Sequence, residues 1–153
     1  MIYLFYSKEI FLIKKEIDKV INDNDIDSLS INEYDLNTDT INNIIEDAET
    51  YSLFNDKKVI VVNNAYIFTA KKNNIEQNTD LLLKYFDNIN PNTILIFNFT
   101  DSKLDEKRKL CKSIKDNLKY SFCPVCLRRN KFLLALICVL ASVLGTKAQV
   151  TVD

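Results

Sequence analysis

Three short, strongly apolar runs restrict the fold of this chain more than any other feature of its sequence. They occupy residues 2–6, 59–62 and 93–99, and each has the length of a strand. Because the runs do not alternate with polar residues, we expect the strands to be covered on both faces, as strands of parallel sheets are. Amphipathic helical patterns lie between the runs, which is the order of a parallel α/β sheet.

Four helical patterns alternate with the strands. Apolar residues recur at helical spacing in residues 10–21, 41–51, 82–89 and 104–118. In the second pattern the acidic residues Glu46, Asp47 and Glu49 are expected to face solvent. A weaker outer strand is predicted within residues 29–36, and a last strand begins near residue 119. Residues 1–122 are therefore predicted to form one α/β domain with a mostly parallel sheet flanked by helices.

The composition excludes several classes of function. The chain has no His, and its one Gly is Gly145. Without His there is no Ser-His or Cys-His couple, and without glycines a phosphate-binding loop cannot be built. Residues 1–120 carry 16 basic and 20 acidic side chains, so the predicted domain does not have the basic character of a stand-alone DNA-binding module.

The cysteines do not indicate a metal site. Cys123 and Cys126 have the spacing of half a zinc site or of a redox pair, but a second pair at suitable spacing is missing from the sequence. Cys111 lies on the apolar face of the fourth helical pattern, where a buried thiol is ordinary. We therefore expect neither a metal nor a catalytic thiol.

The composition changes abruptly after the predicted domain. Basic residues 128–131 precede an apolar run at 132–144 and small residues beyond it, which is the layout of a secretory signal peptide in the wrong place. Residues 123–153 are interpreted as an unrelated tail, joined by gene fusion, frameshift or assembly error. A membrane tail and a helix tucked into the core stay open as alternatives.

Residues 51–58 hold the best candidate for a partner-binding element. Leu53 and Phe54 fall at a predicted turn after the second helical pattern, and they are followed by polar residues 55–56 and a basic pair at 57–58. Two large apolar side chains at a turn can pack in the core or act as exposed anchors for a partner. Residue types alone favour the core.

A family resemblance favours the interpretation of Leu53 and Phe54 as exposed anchors over their packing in the core. Four segments, in order and at their spacing within residues 2–118, closely resemble the bacterial DNA polymerase III delta subunit, the clamp-loader arm that grips the sliding clamp. They are Tyr3-Leu4-Phe5-Tyr6, Ser52-Leu53-Phe54 with residues 57–62, residues 92–97, and residues 103–109.

The resemblance implies a RecA-like fold related to the AAA+ ATPases (P-loop NTPase-like) without a functional P-loop. It further implies a non-catalytic protein that needs no cofactor. Leu53 and Phe54 would dock into a hydrophobic pocket on the sliding clamp (beta subunit), and Tyr51 would be a flanking contact. The protein would be cytoplasmic and would meet DNA through the complex, and a membrane is not an expected partner. The family continues into lid and collar domains, which we do not expect in residues 1–153, so other clamp-loader subunits are expected partners only if those domains were present.

Two other functions stay open at this point. One is a flavodoxin-like or degenerate nucleotide-binding domain that acts on a small phosphate ligand. The other is a membrane-tethered domain anchored by residues 132–144.

The domain is predicted to fold without the tail. A chain that ends at Phe122 should keep the cooperative thermal unfolding of residues 1–122 and should be more soluble than the full chain, because it loses an apolar run and no core. Circular dichroism melting and sedimentation of the two chains measure this. Loss of the folded state in the shorter chain would show that residues 132–144 belong to the core.

Overall fold

The computed structural model describes residues 1–51, 57–71, 75–101 and 103–122, with residues 119–122 described by their backbone alone. Within these ranges strands and α-helices alternate. They are β1 (Ile2–Ser7), α1 (Ile10–Asp23), β2 (Ile31–Asp35), α2 (Ile41–Glu49), β3 (Lys58–Asn63), α3 (Thr79–Asp87), β4 (Thr93–Thr100), α4 (Lys109–Asn117) and β5 (Leu118–Phe122). Met1–Phe122 form one compact unit.

The five strands form one parallel sheet in the order β2-β3-β4-β1-β5. The register places Val61 of β3 opposite Ile96 of β4, and Tyr3 of β1 opposite the same Ile96. The central strands β3, β4 and β1 are buried almost throughout. The prediction of an α/β domain with a mostly parallel sheet flanked by helices is thus confirmed.

Helix α1 packs on one face of the sheet, and α2 contacts the other face. Ile13 and Val20 of α1 pack on one face in a cluster with alternate residues of β1, β3 and β4, namely Tyr3, Phe5, Val59, Val61, Ile94 and Ile96. The intervening residues point to the other face, because side chains alternate along a strand. Thr93 lies on that second face, and its hydroxyl donates to the carbonyl of Ala48 in α2 (2.9 Å). Helix α3 packs against both α2 and α4.

The helices differ in several details from the predicted patterns: α3 begins at Thr79 and not at residue 82, and α4 begins at Lys109 and not at residue 104. Helix α1 begins at Ile10, whose side chain is 59% exposed, so this residue does not belong to the buried stripe. Helix α2 has Thr40 as its N-cap; Asp39, whose residue type also suits a cap, instead accepts a hydrogen bond from the Asp35 amide (2.9 Å). Helix α2 also ends at Glu49, which leaves Tyr51 outside it.

A buried ion pair joins α2 to the start of β3. The Lys58 ammonium lies 3.0 Å from a carboxylate oxygen of Asp47, and the two side chains are only 7% and 18% exposed. The other carboxylate oxygen accepts hydrogen bonds from Asn32 (2.8 Å) and Tyr34 (3.1 Å) of β2. The expectation that Asp47 faces solvent is therefore wrong: tertiary contacts with two strands cover it.

The network around Asp47 changes its acidity and that of Tyr34. Burial raises the pKa of Asp47, but the hydrogen bonds from Asn32 and Lys58 and the charge of Lys58 outweigh burial and hold it below the ordinary value. Burial and the neighbouring Asp47 carboxylate raise the pKa of Tyr34 to about 12. Tyr34 therefore stays a hydrogen-bond donor at neutral pH, and Asp47 stays an anion.

The ion pair predicts a specific acid dependence of stability. Because the pKa of Asp47 is lowered on folding, its contribution is complete above the unfolded-state value of 3.8 and is lost as the pH falls through the lower folded value. Asp47→Asn should cost about 3 kcal/mol at pH 7, because it leaves the Lys58 charge buried without a counter-charge. The difference in the free energy of unfolding between the two proteins should shrink below about pH 4.

Urea unfolding of both proteins from pH 7 to pH 2.5 measures that difference. All other carboxyl groups are common to both proteins, so the change in the difference reports on Asp47. A difference that stays constant over the whole range would contradict the assignment.

Candidate functional site

The predicted partner-binding residues stand in the connection between α2 and β3. Leu53 and Phe54 lie outside the described residues, which stop at Tyr51 and resume at Lys57. Tyr51 follows the end of α2 and is 80% exposed, and Lys57 is exposed as well. Tyr51 and Lys57, the described residues that flank the two predicted anchors, therefore both lie at the surface of the domain.

The end of α2 is fixed by side chains from the neighbouring strands and turn. The last carbonyl groups of a helix have no partner inside the helix and need one elsewhere. Here the Ala48 carbonyl accepts hydrogen bonds from Asn90 (3.1 Å) and from Thr93 (2.9 Å). The Lys58 amide, at the start of β3, donates to the carbonyl of Asn92 (3.0 Å). The two ends of the connection are thus both attached to the segment that leads into β4.

The Lys58 ammonium joins those two ends directly. It donates to the backbone carbonyl of Asp47, to the Asp47 carboxylate (3.0 Å) and to the hydroxyl of Thr50 (2.9 Å). The Thr50 hydroxyl in turn donates to the Asp47 carbonyl (2.8 Å). An ammonium group has three N–H donors, and all three have an acceptor here.

Sequence reasoning missed this role of Lys58. It treated residues 57–58 as a basic pair beside the apolar run, although Lys58 is the first residue of a strand in which residues 58–62 are all buried. A signal was present, since a lysine at the start of a fully apolar strand needs a counter-charge if the strand is buried at that point. The sequence does not show which residue supplies the counter-charge of Lys58, because the chain contains many Asp and Glu residues.

The turn from β1 to α1 offers little to a phosphate group. Ser7 is buried, and its hydroxyl accepts a hydrogen bond from the Glu9 amide (3.0 Å). Glu9 is the N-cap of α1 and is exposed, which puts a carboxylate at the helix end that would otherwise attract an anion. Ile10 and Phe11 follow, and they are 59% and 71% exposed.

A cavity of about 470 Å³ lies elsewhere in the domain, beside the start of α3. Its lining includes the cations Lys71 and Arg108. Both are already paired: Lys71 lies 3.1 Å from Asp101, and the Arg108 Nε lies 3.4 Å from Asp105. The cavity also has Glu76 in its wall, so its charge does not favour a phosphate ligand.

The described residues hold no cluster of three or more side chains that could bind a metal ion. The predicted burial of Cys111 is confirmed, and burial raises the pKa of its thiol. Cys123 and Cys126 lie outside the described ranges. Among the helices that the structure describes, none has the length and apolar character needed to cross a membrane.

Comparison with known proteins gives consistent results from sequence and from structure. Residues 3–123 match the family model described as DNA polymerase III, delta subunit. The chain is 29% identical over 119 residues to the DNA polymerase III subunit delta of Bacillus subtilis (strain 168), and the alignment covers 74% of this chain and 34% of that protein.

A solved structure, the Bacillus subtilis DNA clamp loader delta protein (YqeN), matches with a TM-score of 0.69 at 26% identity. That match covers 79% of this chain and 37% of the other. The chain thus spans about one third of the length of the relatives that it matches. With a family model that matches residues 3–123 and a fold that agrees with a clamp-loader delta structure, the chain belongs to the DNA polymerase III delta subunit family.

Proposed function

We propose that this chain acts in DNA replication as the clamp-binding part of a delta-type clamp-loader subunit, which binds the sliding clamp and helps to open it. Membership of the delta family supports the replication role. The observation that carries the site is the position of Tyr51, which is 80% exposed where α2 ends. Leu53 and Phe54 follow it by two and three residues and are proposed as the apolar anchors, with Tyr51 as a flanking contact.

The chemistry of the proposed site is that of an interface hot spot. Two neighbouring apolar side chains that fill a pocket on a partner bury enough surface to dominate a small interface. The attachment of both ends of the connection supports this role, because a segment whose ends are fixed has less conformational entropy to lose on binding. The exposed Lys57 at the other end adds a charge at the rim, where charges affect the association rate more than the affinity.

The remaining features of the proposal follow from the family. The domain is proposed to be RecA/AAA+-like but without nucleotide chemistry, and to act as a non-catalytic, cytoplasmic subunit that needs no cofactor. DNA and the other loader subunits would be met through the complex. Residues 123–153 are proposed to be unrelated to this function.

We expect the chain neither to bind nor to hydrolyse ATP. A phosphate cradle requires converging backbone N–H groups, which glycines usually permit. At the β1–α1 turn the Glu9 amide is already bonded to Ser7, and the Glu9 carboxylate would repel a triphosphate. Isothermal titration with Mg-ATP measures this. Saturable binding at micromolar concentration would overturn the non-nucleotide part of the proposal and favour the rival phosphate-binding function.

The anchors are tested by separating folding from binding. Leu53→Ala with Phe54→Ala should leave the free energy of unfolding within about 0.5 kcal/mol per site if the side chains are exposed. Buried side chains of this size would instead cost about 2 to 5 kcal/mol each. Clamp affinity should fall several-hundredfold or more, because each hot-spot residue contributes about 2 kcal/mol or more. Chemical unfolding and surface plasmon resonance with a purified bacterial sliding clamp measure the two quantities.

The chain offers a matched control for this experiment. Leu29 and Phe11 are the same two residue types, are 79% and 71% exposed, and lie outside the α2–β3 connection. Leu29→Ala with Phe11→Ala should change neither stability nor clamp affinity. A lowered stability with unchanged clamp affinity in the Leu53 and Phe54 variant would return those residues to the core and overturn the site.

A further inference from the structure

A buried cation joins the two described ends of the connection that carries Leu53 and Phe54. Lys58 is 7% exposed, and its ammonium bonds to Asp47 and Thr50, which precede the connection, although Lys58 itself follows it. Keeping an ammonium ion in the protein interior is costly unless every donor is satisfied. Apolar residues in place of both Lys58 and Asp47 would avoid that cost, so stability alone does not explain the pair.

We propose that Lys58 is a positioning residue for clamp binding: its ammonium holds Thr50 and the start of β3 together, and so fixes the ends between which the anchors are presented. This inference rests on the proposed function of Leu53 and Phe54. The three acceptors of Lys58 are arranged around one nitrogen, and an ammonium can direct three donors to three separate acceptors. Lys58 does not need to touch the clamp for this role.

Positioning has a kinetic signature that differs from contact. If loss of the ammonium lets Thr50 and the start of β3 move apart, only a fraction of the molecules holds these two ends as binding requires, and the apparent affinity falls by that fraction. The association rate constant then falls, while the dissociation rate constant of the formed complex stays nearly unchanged. Removing an anchor should do the opposite, because most effects of interface contacts appear in dissociation.

The experiment uses the full chain and the purified sliding clamp of Bacillus subtilis on a sensor surface. Lys58→Met keeps the length of the side chain and removes the charge and all three donors. Thr50→Val removes one acceptor but keeps the shape of residue 50 and the Lys58–Asp47 pair. All rates are measured at a temperature at which circular dichroism shows each variant to be folded.

We expect the association rate constant to fall about tenfold in Lys58→Met and about threefold in Thr50→Val, with dissociation changed less than twofold, as loss of preorganisation predicts. Thr50 is exposed, so this variant should fold even if Lys58→Met does not. An unchanged association rate in the folded variants would overturn the proposal, and so would a change confined to dissociation.

A control distinguishes positioning from general destabilisation. Ile13 is 2% exposed and packs on the opposite face of the sheet, and Ile13→Ala should destabilise the domain by a comparable amount. Its rate constants should equal those of the wild type. If Ile13→Ala slows association as much as Lys58→Met, the effect is general and the positioning role is wrong.

Clamp binding by the wild-type chain distinguishes failure of the proposed function from failure of the positioning role. If it does not bind the clamp, the proposed function fails and this inference fails with it. If it binds and Lys58→Met binds at the same rate, only the positioning role fails.

Discussion

The parallel direction of all five strands determines at which edge of the sheet each connection lies. Each strand has to be followed by a crossover that returns the chain to the same edge of the sheet. The carboxyl ends of the strands therefore share one edge and their amino ends share the other. The β1–α1 turn belongs to the carboxyl edge, where ligands bind in open α/β sheets. The α2–β3 connection, which carries the proposed anchors, returns the chain to the amino edge.

This separation gives the two edges different chemistry. At the carboxyl edge the turn after β1 presents Glu9 and the exposed side chains of Ile10 and Phe11, a combination that suits neither phosphate nor a metal ion. At the amino edge the side chains of Lys58, Asn90 and Thr93 occupy the last carbonyl groups of α2. Near the proposed site, side-chain hydrogen bonds thus attach the end of α2 to the amino edge.

The sequence predicts the sheet well because the strands can be recognised from the apolar character of short segments. Residues 2–6, 59–62 and 93–99 are strongly apolar and do not alternate with polar residues, and burial on both faces follows directly from that pattern. Helix boundaries were less accurate. Ile10 fits the helical period, but it is the first residue of α1 and is 59% exposed. Asp39 had the composition of an N-cap, yet its carboxylate bonds to the Asp35 amide and the cap falls on Thr40.

The candidate site was only partly predictable for a different reason. Leu53 and Phe54 were identified through resemblance to a family, since residue types alone favoured the core. The network of Lys58, Asp47 and Thr50 was not predicted at all. A charged residue reveals that it needs a partner only when its burial is known, and burial of residue 58 depends on its pairing with Thr93 of β4, 35 residues further along the chain. Pairings at that sequence distance are not encoded in any short pattern.

The outer strand β2 has a consequence for the behaviour of the protein in concentrated solution. A free strand edge offers unpaired backbone groups to any other extended chain, which is how many sheets begin to aggregate. β2 is only five residues long, and Asn32 and Glu33 in it are exposed. A second chain that paired with this edge would bring its own side chains against the Glu33 carboxylate and remove water from it. The short, acidic β2 thus lowers the tendency of the sheet to grow at this side, and it does so with residues that take no part in the apolar core.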